Sequence, residues 1–250
     1  MKVIEKGEDP EITVVGSVHG DEPAGKKAIE KVLERNSFTG PVRFIVANEE
    51  ALEIGERYVE KDLNSSFPGD PDSEVHEERL AAEITDIVED QKVLDIHSTK
   101  SHPEPFSNVK ELTDEVREMT RAAGVENVVE FPEESGVLME EADPGILVET
   151  GTQGTEQAAE NAVEVIENFL RHFDVLPGEP ELSDPDFYRY TETVKGDWEF
   201  HAENFSRVHV GKVYATYGGL QRRAAKEFYP VLMSTDGYED KLGYKAEKIR

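Results

Sequence analysis

The stretch Ile12-Thr13-Val14-Val15-Gly16-Ser17-Val18-His19-Gly20-Asp21-Glu22-Pro23 decides the fold. Its first seven residues, rich in valine and isoleucine, read as a buried strand over 12–18. The run breaks into a polar turn. Over residues 23–35, Ala28, Ile29, Val32 and Leu33 then recur at helical spacing and supply an inner face. A buried strand feeding a helix is the opening of a βαβ unit.

The alternation continues outward. Strands are expected at 42–47, 92–97, 125–131 and 145–149. Helices are expected at 73–89, with Ser73 as N-cap, and at 112–123 and 155–172. This order predicts an α/β fold, a largely parallel or mixed sheet covered by helices on both faces. Between 174 and 185 the texture changes, with Pro177, Gly178, Pro180 and Pro185 punctuating the chain. Beyond it, short β-like runs at 187–194, 207–214 and 229–233 are separated by turns such as Gly218-Gly219. The reading is a catalytic domain over 1–175 and a small β-rich C-terminal domain over 176–250. No internal repeat or low-complexity stretch is visible.

The 250 residues include 55 Asp+Glu and 27 Lys+Arg, a formal net charge of −28. That balance argues against nucleic-acid binding, which needs clustered cations, and against docking on anionic membranes. The hydrophobic share of 37% is low, but the apolar residues are periodic, so the chain reads as folded. The acid is spread rather than blocked. On the 155–172 helix, Glu156, Glu160, Glu164 and Glu167 form one stripe and Ala159, Ala162, Val163, Ile166 and Leu170 another. A carboxylate-coated surface with few lysines matches cytosolic proteins of salt-accumulating halophiles, in which concentrated salt screens self-repulsion. There is no cysteine, so any metal must be held by histidines and carboxylates. With no signal-like segment and no window of about 18 apolar residues, a soluble cytoplasmic protein is expected.

In open α/β sheets, ligands sit beyond the carboxyl ends of the strands. The first strand runs into His19 and Glu22, three apart on a turn, where they can converge on one ion. The strand at 92–97 delivers His97 to the same edge. Two histidines and one glutamate with an open fourth position is a catalytic zinc arrangement, here one Zn2+ per chain. The 145–149 strand brings Glu149 beside it. Taken singly, each residue has a plainer reading: a loop histidine, or, for Glu149, a cap on the following helix. Three strand ends converging on one place favour the metal centre. Asp95 either orients His97 from behind or faces solvent.

Five stretches extend this pattern. They are the His19-Gly20-Asp21-Glu22 turn, Asn48 with Ala51-Leu52, and Arg57-Tyr58 leading to Asp62-Leu63-Asn64 and Phe67-Pro68-Gly69. The last two are Asp95-Ile96-His97-Ser98 and Val148-Glu149-Thr150-Gly151 with Gln153-Gly154. Their order resembles the succinylglutamate desuccinylase/aspartoacylase family, a branch of the zinc carboxypeptidase-like hydrolases. The tail, with Tyr229-Pro230-Val231 and Tyr238, is similar to the family's C-terminal domain, which closes over the active site.

The resemblance implies that His19, Glu22 and His97 bind zinc and that Glu149 is the general base. It also implies that Arg57 polarises the scissile carbonyl, where the plainer reading is a surface ion pair. Asn64 would contact the substrate carboxylate. A tyrosine of the tail would reach the site: Tyr238 is the candidate, and the spacing does not decide between it and the nearby Tyr244. One departure stands out: Ser65 occupies a position where the family usually has a carboxylate-gripping arginine, and a hydroxyl cannot replace a bidentate guanidinium. The stretch Glu140-Glu141-Ala142-Asp143-Pro144 offers no second cation, and Lys61 and Lys100 are possible substitutes. Lys100 and His102 either line the pocket or sit in solvated loops.

The expected function is zinc-dependent hydrolysis of the amide bond of a small N-acyl amino acid or related metabolite. The alternatives are a catalytically weak metal-containing binding or regulatory homologue, or a metallocarboxypeptidase acting on peptide C-termini. The acid surplus adds the expectation of a halophilic archaeal source.

Overall fold

In the computed structural model, which describes residues 1–132 and 137–249, thirteen strands and five α-helices are seen. The strands are β1 (Lys2–Lys6), β2 (Ile12–Gly16), β3 (Val42–Val46), β4 (Lys92–Thr99), β5 (Phe106–Val109), β6 (Asn127–Glu130) and β7 (Gly145–Thr152). Then follow β8 (Asp186–Lys195), β9 (Glu199–Phe200), β10 (Val213–Tyr217), β11 (Leu220–Arg223), β12 (Tyr229–Val231) and β13 (Lys241–Ile249). The helices are α1 (Ala24–Arg35), α2 (Glu49–Ile54), α3 (His76–Val88), α4 (Asp114–Ala122) and α5 (Glu156–His172).

Ten strands form one sheet in the order β1-β3-β2-β4-β7-β5-β6-β8-β13-β12. The centre, β3-β2-β4-β7, is parallel, whereas β5 runs antiparallel to β7. Alternation along the strands sorts side chains to two faces. Val14 of β2, Leu94 and Ile96 of β4 and Ile146 and Val148 of β7 pack with Ile29 and Val32 of α1 and Ile166 and Phe169 of α5. On the opposite face, Val15 and Val93 pack with Leu80, Ala81 and Ile84 of α3. Asp95 and His97 share that second face with Val93, two and four residues on. Glu149 lies opposite His97 in the parallel register. Period-two geometry thus carries the polar residues up one face to one edge.

Close packing fixes the first turn. A Cβ on Gly16 would lie 2.9 Å from the backbone of Gly25, so β2 and α1 meet backbone to backbone. A Cβ on Gly20 would fall 2.1 Å from the carbonyl carbon of Ala51, so only glycine fits there.

Several expected boundaries move. The strand expected at 12–18 ends at Gly16, because Ser17 turns into the left-handed region at φ 57°. Helix α3 begins at His76, not Ser73. Ser73 instead accepts from the Val75 N–H and donates to Glu78, and the Glu60 carboxylate accepts from the His76 N–H. The strand expected at 207–214 is a turn with one bridge, Val208 to Phe228; the ladder starts only at Val213, past the Gly211 turn. Strands β1 and β5 and helix α2 were not expected. The acidic stripe of α5 is partly paired, with Lys31 of α1 donating to Glu156 and Glu160 at 2.7 Å each.

After the loop that follows α5, β8, β13 and β12 extend the main sheet, while β11-β10-β9 form a separate antiparallel sheet. Val194 of β8 and Leu242 of β13 pack with Tyr214 of that small sheet. Among the described residues no helix is long and apolar enough to cross a membrane.

Candidate active site

The turn after β2 and the ends of β4 and β7 open into a cleft of about 660 Å³ lined by His19, Glu22, His97 and Glu149. Its size suits a small metabolite. His19 Nδ1 lies 2.9 Å from Glu22 Oε1, and His97 Nδ1 lies 3.3 Å from Glu22 Oε2. Each residue offers a ligand atom within 4.8 Å of the other two, and all three are buried. The remaining ring nitrogens face carboxylates: His97 Nε2 lies 2.9 Å from Asp95, and His19 Nε2 3.2 Å from Asp62. This arrangement fixes the tautomer that leaves both Nδ1 atoms free to ligate. Two imidazoles and one carboxylate so oriented fit a zinc-type divalent metal.

The backbone holds these groups in place. The Ser98 N–H donates to Glu22 Oε2 at 2.8 Å, and the Thr150 hydroxyl donates to the His97 carbonyl at 2.9 Å. Burial pushes the Glu22 carboxyl up, but His19 and His97 outweigh it and hold it well below the usual range. His97 goes the other way. Burial lowers it, but Asp95 and Glu22 together raise it well above its ordinary value.

Glu149 differs from its neighbours. No hydrogen bond among the described residues reaches its carboxylate, and Oε2 is enclosed without a partner. Burial, then the Glu22 charge, raise it to about 7. The helix-cap reading of Glu149 does not hold, since Thr155 caps α5 by accepting from the Ala158 N–H.

The catalytic-domain model of the succinylglutamate desuccinylase/aspartoacylase family matches residues 8–173. The chain belongs to this family. A relative in Halomonas elongata, N-alpha-acetyl-L-2,4-diaminobutyric acid deacetylase, is 29% identical over 220 residues, 75% of this chain and 62% of that protein. The chain therefore spans less than two thirds of that relative's length. Its fold resembles the succinylglutamate desuccinylase/aspartoacylase of Rhodobacter sphaeroides (TM-score 0.80, 19% identity, 99% of this chain and 88% of that one). It also resembles the product-bound ectoine utilization protein EutE (DoeB) of Ruegeria pomeroyi (TM-score 0.78, 21% identity, 98% and 86%).

Within this family member the structure gathers most of the residues singled out in the sequence. Arg57, Asn64, Lys100, Tyr238 and Tyr244 all line the cleft. Arg57 is also the ion pair of its plainer reading, donating from Nε to Asp62 at 2.9 Å and from Nη1 to Glu22 at 3.2 Å. Asp95 is wholly buried behind His97, so its solvent-facing reading falls. Ser65 lines the cleft but donates its hydroxyl to the Asp62 carbonyl. Lys61 is engaged with Glu78 at 2.7 Å and does not line the cleft. His102 lies outside the cleft as well, packed edge-on against Phe106 and Phe205.

The sequence reading missed two participants. Asp62 lay inside a quoted motif, but nothing local showed that it would face His19. Lys241 lines the cleft with its ammonium 4.5 Å from the Tyr238 ring centre and 4.8 Å from that of Tyr244, and donates to the Tyr244 hydroxyl at 2.6 Å. Only the spacing Tyr238-x-x-Lys241-x-x-Tyr244 hinted at it.

Proposed function

We propose that the protein is a zinc-dependent deacylase that hydrolyses the amide bond of a small N-acyl amino acid. One observation carries the reading: the buried Glu149 carboxyl, with no hydrogen-bond partner among the described residues, stands in register beside a His19–Glu22–His97 donor set. Zinc bound there would supply Lewis-acid activation of water and of the scissile carbonyl. Glu149 takes the proton of the attacking water and delivers it to the leaving nitrogen, a task suited to a buried carboxyl beside the donor set with no hydrogen-bond donor among the described residues to hold its proton affinity down. Arg57 stabilises the negative charge that develops on the carbonyl oxygen, while its pairs with Glu22 and Asp62 hold the guanidinium in place. Asn64 and Tyr238 bind the amino-acid part, with Lys241 as the cation beside them.

The acetylated diamino acid named for the Halomonas relative is a first candidate substrate. It carries a single carboxylate, consistent with Ser65 replacing an anion-gripping arginine. The test is a panel of N-acetyl and N-succinyl amino acids with zinc, run on the wild type and on Glu149→Gln. The variant is expected to keep its zinc and lose about 10²–10⁴-fold in kcat, the usual weight of a general base. A Glu149→Gln protein that turns over substrate at the wild-type rate overturns the assignment.

A further inference from the structure

We propose that Glu77 is a positioning residue whose buried carboxylate clamps the loop that carries Arg57 over the site; what it positions Arg57 for rests on the deacylase reading above. Glu77 sits in the first turn of α3 and is wholly buried, with no cationic partner among the described residues. Its charge is met instead by four N–H groups. Oε1 accepts from the Val59 N–H at 2.7 Å and from the Asn48 amide at 3.2 Å, and Oε2 accepts from the Glu60 and Lys61 N–H groups at 3.1 Å each. Three successive backbone N–H groups converging on one anion form a nest, and here the anion is part of the chain. Burial would push this carboxyl up, but the donors outweigh it and hold it below its ordinary value.

Little else holds this loop. Residues 53–60 are all exposed, so apolar burial does not fix their path. The neighbours of Glu77 grip the same triplet, since Glu60 accepts from the His76 N–H at 2.6 Å and Lys61 donates to Glu78 at 2.7 Å. At the neck of the loop, Arg57 donates to Asp62 and its carbonyl accepts from the Gly20 N–H at 3.1 Å. Arg57 and Asp62 therefore flank a triplet whose N–H groups are all committed to Glu77. A neutral side chain of the same shape cannot do this. Glutamine offers one acceptor oxygen and turns its own N–H2 towards the remaining donors, leaving buried N–H groups unpaired. Released from the clamp, the guanidinium wanders, and misplacement by about 1 Å costs about 10²-fold in rate.

The experiment combines residue-resolved amide exchange with kinetics of the full-length protein. In the wild type, the amides of Val59, Glu60 and Lys61 should exchange at least about 100-fold slower than that of Tyr58, which has no partner among the described residues. In Glu77→Gln that protection should vanish while the amides of β2 and β4 keep theirs. Bound metal per chain should stay the same while kcat/KM falls by about 10²-fold. Adding Glu77→Gln to Arg57→Ala should then cost little more, because one residue acts through the other. The proposal is overturned if the three wild-type amides exchange as fast as Tyr58, a result readable even if the variant does not fold. It is also overturned if Glu77→Gln keeps its kcat/KM within about threefold, or if the two losses multiply. If the wild type hydrolyses no N-acyl amino acid, the deacylase reading fails, and the exchange measurements still decide whether the clamp exists.

Discussion

Replacing Asp95 by alanine tests the metal centre without any substrate. Asp95 is wholly buried in β4 and its Oδ2 lies 2.9 Å from His97 Nε2, while His97 Nδ1 faces Glu22. Truncation removes the acceptor that fixes the imidazole's tautomer and rotation and leaves a buried N–H unpaired. A hydrogen bond to a charged group is worth about 1.5–3 kcal/mol, and part of that is lost equally from the metal-free protein. Removing such an outer carboxylate typically weakens metal binding by about 10–100-fold, or about 1.4–2.7 kcal/mol at 1.36 kcal/mol per decade. The assay is competition for zinc between the metal-free protein and a chromophoric chelator. Asp95→Asn should fall between wild type and Asp95→Ala, because an amide oxygen still accepts from Nε2–H but brings no charge. Equal zinc dissociation constants for Asp95→Ala and wild type would refute the reasoning, since His97 would then ligate without help from behind.

Two further outcomes are expected. With a net charge of −28, activity and thermal midpoint should both rise as KCl is increased towards molar concentrations, because salt screens self-repulsion and the repulsion of an anionic substrate. Activity that peaks in dilute buffer and falls steadily with added salt removes the halophile reading. Lys241→Ala should raise KM about five- to tenfold with kcat little changed; that is about 1–1.4 kcal/mol, less than the about 1.5–3 kcal/mol of a buried charged hydrogen bond because the site is partly exposed. An unchanged KM for every carboxylate-bearing substrate would exclude Lys241 from substrate binding.

The central sheet and the convergence of His19, Glu22 and His97 were legible because both follow from local pattern. β2, β4 and β7 are apolar runs, and the polar residues that end them must emerge at the same edge of a parallel sheet. What the sequence hid depends on contacts between distant segments. Strand β1 is half exposed and, among the described residues, pairs only with β3, so it has no buried run to announce it. The short β5 gives little periodicity, and its antiparallel insertion beside β7 is set by tertiary pairing. Ser73 has the chemistry of an N-cap, but Glu60, 16 residues upstream, takes the His76 N–H. The same distance hides Glu77: in sequence it is one acid among many on an acidic chain. Its role appears only when Val59, Glu60 and Lys61 fold back onto it.

In the proposed mechanism, what marks Glu149 as the base among 55 acidic residues is a buried carboxyl that the fold leaves without donors among the described residues. Glu22 is met by the Ser98 N–H, both imidazoles and Arg57, and Glu77 by three backbone amides and Asn48. Both are held below the ordinary carboxylate range and neither takes up a proton near neutrality. Asp95 spends one oxygen on His97. Glu149 stands a hydrogen-bonded register away from His97, raised to about 7 by burial and the charge of Glu22, with no donor among the described residues to stabilise its anion. A base is effective when its proton affinity lies near the working pH, and pairs of carboxylates pushed apart by their surroundings mark which one moves protons. Supplying Glu149 with a donor should therefore be as damaging as neutralising it. That consequence separates a base selected by its surroundings from one selected only by its place in the cleft.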